Sequence, residues 1–475
     1  MKYFLRFFLV ISLFCPVLLK GQDAHYWSSN FSPAGFLTPG AAIANTLDSG
    51  VVYLNPAVMA WSNKTATSIS SNIYRFERIN IKNAVGEKKS LNANNTKIVP
   101  QIASKTFKLN KEDPLTIGIA LIQNPMQDFT ASQRSDKIAN VLDDSYSPGA
   151  ESFIGQINGQ SKVTETYAQI SAGKRLTDRL AVGITAEGTL RKVFLSNRLT
   201  SRALYNTKSD PDIAFPPIAR NEAFSQIEYT HVGLRFKFGL AYDYGKHHAG
   251  LLISSPLAKL YSKGTYISDV DFSNLVIEGT TFNLLASTRQ TGLKATWKMP
   301  LSIAGGYAYD YDKGQIYIAA EFFNSLNPYS ILKPDDADFV KTGTAPTGAN
   351  TGSLNVLDDR KSVLNIGIGY SRKMNDVFTL MSSIRTDFNY LNTKTSEDGH
   401  IALWDNYHAQ IGGNFKRRKF NLRAGILFSY GRTGNYVQPA NFDNASDQNF
   451  LTGVPGTVPA RHFGTGLLLA YVHNF

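Results

Sequence analysis

The stretch HVGLRFKFGLAYDYG, His231 to Gly245, decides how the rest of the chain is read. Every second residue is apolar or aromatic: Val232, Leu234, Phe236, Phe238, Leu240, Tyr242 and Tyr244. Between them stand Gly233, Arg235, Lys237, Gly239, Ala241 and Asp243, all small or charged. A period of two is the repeat of an extended strand, whose side chains alternate between faces. A soluble sandwich strand alternates as well. Here, however, the apolar face is long and aromatic, and charge stands on the other. That is the pattern selected when one face meets lipid and the other a watery lumen.

The alternation recurs along the chain. LTIGIALI sets Leu115, Ile117, Ile119 and Leu121 on one face and Thr116, Gly118 and Ala120 on the other. Fourteen such segments are read, near 65–78, 97–108, 115–123, 163–174, 179–192, 224–244, 248–270, 287–309, 315–324, 362–372, 377–390, 404–416, 420–430 and 462–475. Their connections sort by length. LNKED, RLTD, YGK, YDKG, KMND and KRRK are tight; long links fall at 77–96, 124–162, 193–223, 271–286, 325–361, 391–403 and 431–461. Outer-membrane barrels alternate in this way, with short periplasmic turns and long outer loops. The expected fold is all-β: a 14-stranded antiparallel transmembrane outer-membrane β-barrel over residues 63–475. The final TGLLLAYVHNF closes on Phe475, with Tyr471 and Leu469 at period two, and resembles the signal read by barrel-assembly machinery.

Lys2 and Arg6 precede an apolar run from Phe7 to Leu19, so residues 1–21 are expected to be a signal peptide. The single cysteine, Cys15, lies inside it. No disulfide or thiolate metal site is then available to the mature chain, and no metal or cofactor is expected. The net charge is +12, and removing the 3 from Lys2, Arg6 and Lys20 leaves +9. In an exported chain this points to anionic lipid headgroups or an anionic ligand as partner, not to nucleic acid. Mean hydropathy is −0.19, and no further apolar run is long enough for a membrane helix.

Residues 22–62 precede the first strand, are rich in Gly, Ala and Ser, and scarcely alternate. Within them SGVVYLNPAVMA is stopped at Asn55-Pro56, a turn signal because proline lacks an N–H and restricts the residue before it. A fourteen-strand barrel is wider than its own side chains fill. The segment is therefore expected either to fold inward as a plug or to hang free as a periplasmic tail. A resemblance favours the plug. Phe36 to Ala60, above all GAAIANTLDSGVVYLNPAVMA, resembles the amino-terminal hatch of the FadL-type long-chain fatty acid transporter family, with Gly40, Asp48, Asn55, Pro56 and Ala57 matching. YAQISAGKRLTDRLAVGITAEG, FKFGLAYDYGKHHAGLLISSP and LNIGIGYSRKMNDVFTLMSSIRTDFN are similar in the same order.

The resemblance implies a monomeric outer-membrane channel of a Gram-negative bacterium that takes hydrophobic molecules past the lipopolysaccharide. A hatch shift releases them, in the family's model sideways near a kinked third strand. Gly118 and Pro125 are the kink candidates in this sequence. Long-chain fatty acids are the first expectation for the ligand and aromatic hydrocarbons another. A protein-binding part in type IX secretion is the reading from a different class.

A fatty-acid carboxylate would want desolvated cations. By parity Arg191, Arg235, Lys237, Arg385 and Arg423 face inward, as do Glu187, Asp243 and Asp387. The plainer reading is a charge network bracing the lumen. Phosphate-loop and HExxH motifs are absent, and His231 with Thr230 falls on opposite faces, so an enzyme is not expected.

Overall fold

A computed structural model of the chain describes residues 23–28, 41–44, 52, 54–61, 65–109, 115–207, 215–341, 351, 354–392 and 402–474. The expected signal peptide, Gly40, Asp48 and Phe475 lie outside the described residues. Fourteen antiparallel strands form one closed wall. They are β1 (Ala66–Ile81), β2 (Leu91–Lys108), β3 (Leu115–Ala139), β4 (Glu151–Arg175), β5 (Leu180–Leu204) and β6 (Ile218–Tyr244). Four broken strands follow: β7 (His247–Ser254, then Ala258–Ile277), β8 (Thr280–Leu293, then Ser302–Tyr311), β9 (Gly314–Phe323, then Leu326–Leu332) and β10 (Val356–Arg360, then Val363–Lys373). The last four are β11 (Phe378–Asp387), β12 (Asp405–Lys416), β13 (Phe420–Val437) and β14 (Thr457–Asn474). Closure is made by β1, which pairs with β2 on one side and with β14 on the other, Ala66 opposite Asn474.

Burial follows the alternation read from the sequence. On β6, Phe236, Phe238, Leu240, Tyr242 and Tyr244 are exposed, while Arg235 and Lys237 are buried. Exposed Leu251, Ile253, Ile303, Tyr307, Ile316, Ile318, Ile366, Ile368, Leu467 and Tyr471 continue the apolar belt around the wall. Soluble proteins do not leave such a band uncovered. The chain is an outer-membrane-type barrel. Tight turns close its lower end, where Gly245 takes a φ of +62° that a side chain would resist.

Two features differ from the sequence reading. Residues 124–162, 193–223 and 271–286 were expected as long loops, yet β3, β4 and β5 run for 25 residues each and β6 for 27, and β7 and β8 stay paired up to Ile277 opposite Thr280. A membrane crossing uses about 9–11 residues, so these strands continue far beyond the lipid. Above the belt their outward residues turn polar, as with Gln156, Asn158 and Gln160 on β4, while Phe153 and Ile157 still point into an apolar core. The lipid signature fades although the ladder does not. Second, the segments read as continuous strands over 248–270 and 287–309 are each interrupted, at residues 255–257 and 294–301.

Residues 438–456 fold across the outer mouth as a lid. The Phe442 ring lies 6.0 Å from that of Phe153, and Phe450 lies 5.1 Å from Phe272. The Asn221 side chain donates to the Phe450 carbonyl at 2.7 Å. Phe450 and Leu451 both have positive φ, 54° and 60°, although neither is glycine. Such backbone costs on the order of 1–2 kcal/mol per residue and persists only where burial holds it. The lid's edge is fixed by charge, with Lys89 Nζ 2.7 Å from Asp443.

Partial burial pushes the Asp443 carboxyl up, but the Lys89 ammonium and the Glu87 N–H outweigh it and hold the group below its ordinary value. A depressed carboxylate stabilises the closed lid above its unfolded pKa, near 4, and that stabilisation is lost as pH falls through the folded value. A spin label at Asn444→Cys should therefore gain mobility on acidification below about pH 4, and Asp443→Asn should show that mobility already at neutral pH. For the belt, Phe238→Arg near its centre should cost about 2–4 kcal/mol in urea titrations of folding into lipid vesicles.

Candidate functional site

The lower bore holds part of the N-terminal segment. A one-turn helix, α1 (Ala41–Ala44), packs on β7–β9 through Ile43 against Leu252, Ala304 and Ala319. Pro56–Trp61 forms a 3-10 turn whose residues 56–60 are buried. Its seat is a row of glycines. Gly173, Gly183 and Gly239 stand directly opposite one another on β4, β5 and β6. A Cβ on Gly183 would lie 2.5 Å from the Ala57 nitrogen, and one on Gly173 or Gly239 would strike the Pro56 carbonyl or the Asn55 side chain. Gly118 meets Val52 and Met59 in the same way, and Gly250 meets the Ile43 carbonyl. The wall lacks side chains where another backbone lies on it.

Asn55 joins these parts. Its side-chain nitrogen donates to the Ile43 carbonyl at 2.7 Å and the Leu240 carbonyl at 3.0 Å. Its side-chain oxygen accepts from the Ala57 N–H at 3.1 Å. Pro56 begins the turn, where a missing N–H leaves nothing unsatisfied.

Higher in the bore, Asp23 to Ser28 form a strap. Arg191, wholly buried, pairs with Asp23 and, at 2.6 Å, with Glu165 of β4. Tyr390 donates to Asp23 at 2.7 Å. The Trp297 indole, carried inward by the break in β8, receives the guanidinium of Arg191 at 3.5 Å and that of Arg360 at 4.0 Å. The backbone N–H of Trp27 donates to Asp387 at 2.9 Å, and its indole N–H to Glu321 at 2.8 Å. Arg385 donates to the Trp27 carbonyl at 3.4 Å.

Of the eight cations and carboxylates singled out from the sequence, seven are buried toward the lumen, while Asp243 is only partly buried near the lower rim, 3.3 Å from His248 Nδ1. The fold gathers most of them around the strap. Glu187 pairs with Arg235 and, at 2.8 Å, with Lys237; Arg423 stands apart on β13 against Asn414. Asp23, Glu165, Trp297 and Arg360 were not singled out. Their partners are strands away in sequence, and no local pattern marks them. Cross-strand register also sets His408 Nδ1 2.7 Å from Ser429 Oγ, with Asp387 3.7 Å from His408 Nε2. Asp387 is engaged with the strap and with Asn365 at 3.5 Å, and the N–H groups beside Ser429 belong to the β12–β13–β14 ladder. The trio reads as part of the bracing network.

Above α1 and the turn lies a central cavity of about 980 Å³ of unfilled space, counting its open part. It is lined by Tyr26, Trp27, Leu252, Trp297, Met299 and Phe323 together with Arg235, Lys237, Arg360 and Arg385. Asn124 and Met126 of β3 reach it too. There the wall is incomplete. β2 and β3 pair only from Ile102 opposite Ile122 down to Lys108 opposite Thr116. Above that, β3 is bulged between Pro125 and Gln127 against β4, and β2 carries Pro100. Across the gap stand the Asn95 side chain on the Asp128 carbonyl and Lys97 at 3.5 Å from Asp128. Gly118 lies below this gap and serves the seat of the turn; Pro125 lies at its edge.

No protein-family model matches this chain, and no curated protein does. Its fold, however, is shared with solved structures. A FadL homologue of Pseudomonas aeruginosa superposes with a TM-score of 0.59 at 12% identity, covering 96% of this chain and 100% of that one. The Pseudomonas putida toluene transporter TodX gives 0.58 at 12% identity, covering 96% and 100%. The Ralstonia pickettii toluene transporter TbuX gives 0.54 at 12% identity, covering 94% and 98%. At such identity the likeness is one of fold: the chain has the FadL-type barrel architecture.

Filling the glycine seat should lift the turn from the wall. Gly183→Val is expected to raise single-channel conductance in planar bilayers, and deletion of residues 22–60 to raise it further. Conductance unchanged by the deletion would show that the segment does not occlude the bore.

Proposed function

We propose that this barrel is a passive outer-membrane channel for hydrophobic small molecules, and that its preferred ligands are amphiphiles with an anionic head, long-chain fatty acids first. The single observation that carries this reading is the central cavity. It combines aromatic and aliphatic walls with four cationic side chains against three carboxylates, Asp23, Glu165 and Glu321, under a lid and above a plugged floor. A hydrocarbon tail is favoured by the first and a carboxylate by the second. A molecule held there need not cross a water-filled pore, because the unpaired stretch between β2 and β3 gives onto the bilayer. The turn at Asn55, Pro56 and Ala57 acts as the hatch, and the Pro125 bulge sets the edge of the sideways exit. No step requires catalysis.

Uptake of aromatic hydrocarbons is the second reading, favoured by the stacked Tyr26 and Phe323 rings, 4.0 Å apart, at the cavity wall. A protein-binding role has less support. Among the described outer residues Ile138, Phe215 and Val454 are exposed apolar side chains, but no observation joins them into a docking surface.

Protein purified in mild detergent and examined by native mass spectrometry should carry a fatty acid. A stoichiometric protein partner with an empty lumen would overturn the proposal. Arg385→Gln separates the two ligand classes, since it should weaken oleate binding by roughly tenfold, as loss of one charge-assisted contact does, and leave toluene binding unchanged. Equal losses for both would point to a structural role for Arg385.

A further inference from the structure

The wall has a second unpaired stretch, on the side away from β2 and β3. β7 and β8 pair below it, ending at Ser254 opposite Ser302, and resume above it at Gly264 opposite Leu293. Between these, residues 255–263 and 294–301 share no ladder. Proline explains the break. It removes a ladder donor, and this seam carries one on each flanking strand, Pro256 and Pro300. The first seam carries Pro100 and Pro125 in the same arrangement. Register connects the two, since Ile122, the last paired residue below the first seam, leads through Tyr167, Thr189 and Gly233 to Lys259 in the second.

Side chains bridge the second seam where the ladder is missing. Ser262 Oγ accepts from the Ala295 N–H at 3.1 Å, and Lys259 Nζ donates to the Ala295 carbonyl at 3.2 Å. One backbone bond crosses it, Leu257 N–H to the Met299 carbonyl at 3.2 Å. Irregular backbone at membrane depth is tolerated where it lines a cavity, and this seam lines one. Leu252, Ser254, Trp297 and Met299 all reach the central cavity. Outside, the neighbouring side chains are apolar and exposed: Phe236, Leu260, Leu301 and Phe322. The closed seam also leaves His231, opposite Ser262, wholly buried with neither ring nitrogen bonded, so closure is not tightly enforced.

We infer that this seam is a second lateral portal, through which an apolar ligand passes between the central cavity and the bilayer when Leu257 and Met299 part. It rests on the transport reading above and deepens it: the channel has two sideways routes. Opening breaks a few side-chain bonds and one backbone bond, whereas parting a regular stretch of wall would break a ladder. The Arg191 and Arg360 contacts on Trp297 hold one lip of the portal, which places its opening under the control of the strap.

The test uses a mature chain without cysteine, since the single cysteine is Cys15. One staple, Asn95→Cys with Asp128→Cys, spans the first seam; the other, Ser262→Cys with Ala295→Cys, spans the second. Closure is verified by mass, and Leu257→Cys with Met299→Cys serves as an alternative second staple. Uptake of tritiated oleate by cells expressing each form is then compared, oxidised and reduced. Each staple alone should leave part of the uptake, both together should remove it, and reductant should restore it. Complete loss from the first staple alone, or no effect of the second in either form, would overturn the second portal. Absence of uptake by the unstapled protein would instead sink the transport reading itself.

Discussion

Arg191 cannot stand alone where it is. A guanidinium wholly out of water is costly unless charge and hydrogen bonds surround it, and removing one partner of such a group costs several kcal/mol. The bore supplies Glu165 from the neighbouring strand, Tyr229 at 3.3 Å from the next, Asp23 from the strap and the Trp297 face from the broken β8. One buried cation thus ties the N-terminal strap, two wall strands and the lip of an unpaired seam together. A buried ion network adds little net stability over an apolar core of the same volume. What it gives here is position: the strap has one place where its carboxylate is matched.

The lower floor achieves position by the opposite means. The wall under Pro56–Trp61 has no side chains at Gly173, Gly183 and Gly239, so the turn can touch backbone directly. Asn55 then replaces the missing side-chain contacts with hydrogen bonds to Ile43 and Leu240 carbonyls. The two levels complement each other, charge above and close backbone contact below. Between them lies the central cavity, and it is there that apolar walls and cations meet.

How far the sequence foretold this depends on the range of the physics involved. Lipid outside and water inside impose a local period of two, and the belt of β6 could be read residue by residue. Above the belt the outer face turns hydrophilic, so the upper halves of β3 to β5 and the first residues of β6 looked like loops although the ladders joining them are continuous. Asn55-Pro56 announced a turn because its signal is also local. Asp23 with Arg191, and His408 with Ser429, are meetings across strands that no nearby pattern records. Pro256 and Pro300 were visible in the sequence, yet the apolar alternation on both sides of each was read straight through them. A proline in a strand pattern is evidence against unbroken pairing, and here it outweighed the alternation.

The strap's bonds span 168 residues to Arg191 and 367 to Tyr390. Contacts so distant along a chain form late, because closing long loops is entropically unfavourable until much else is in place. Most of the cylinder must therefore exist before its beginning can be seated within it. In a chain built this way, the order of events follows from geometry: the container has to be closed before its contents can be packed.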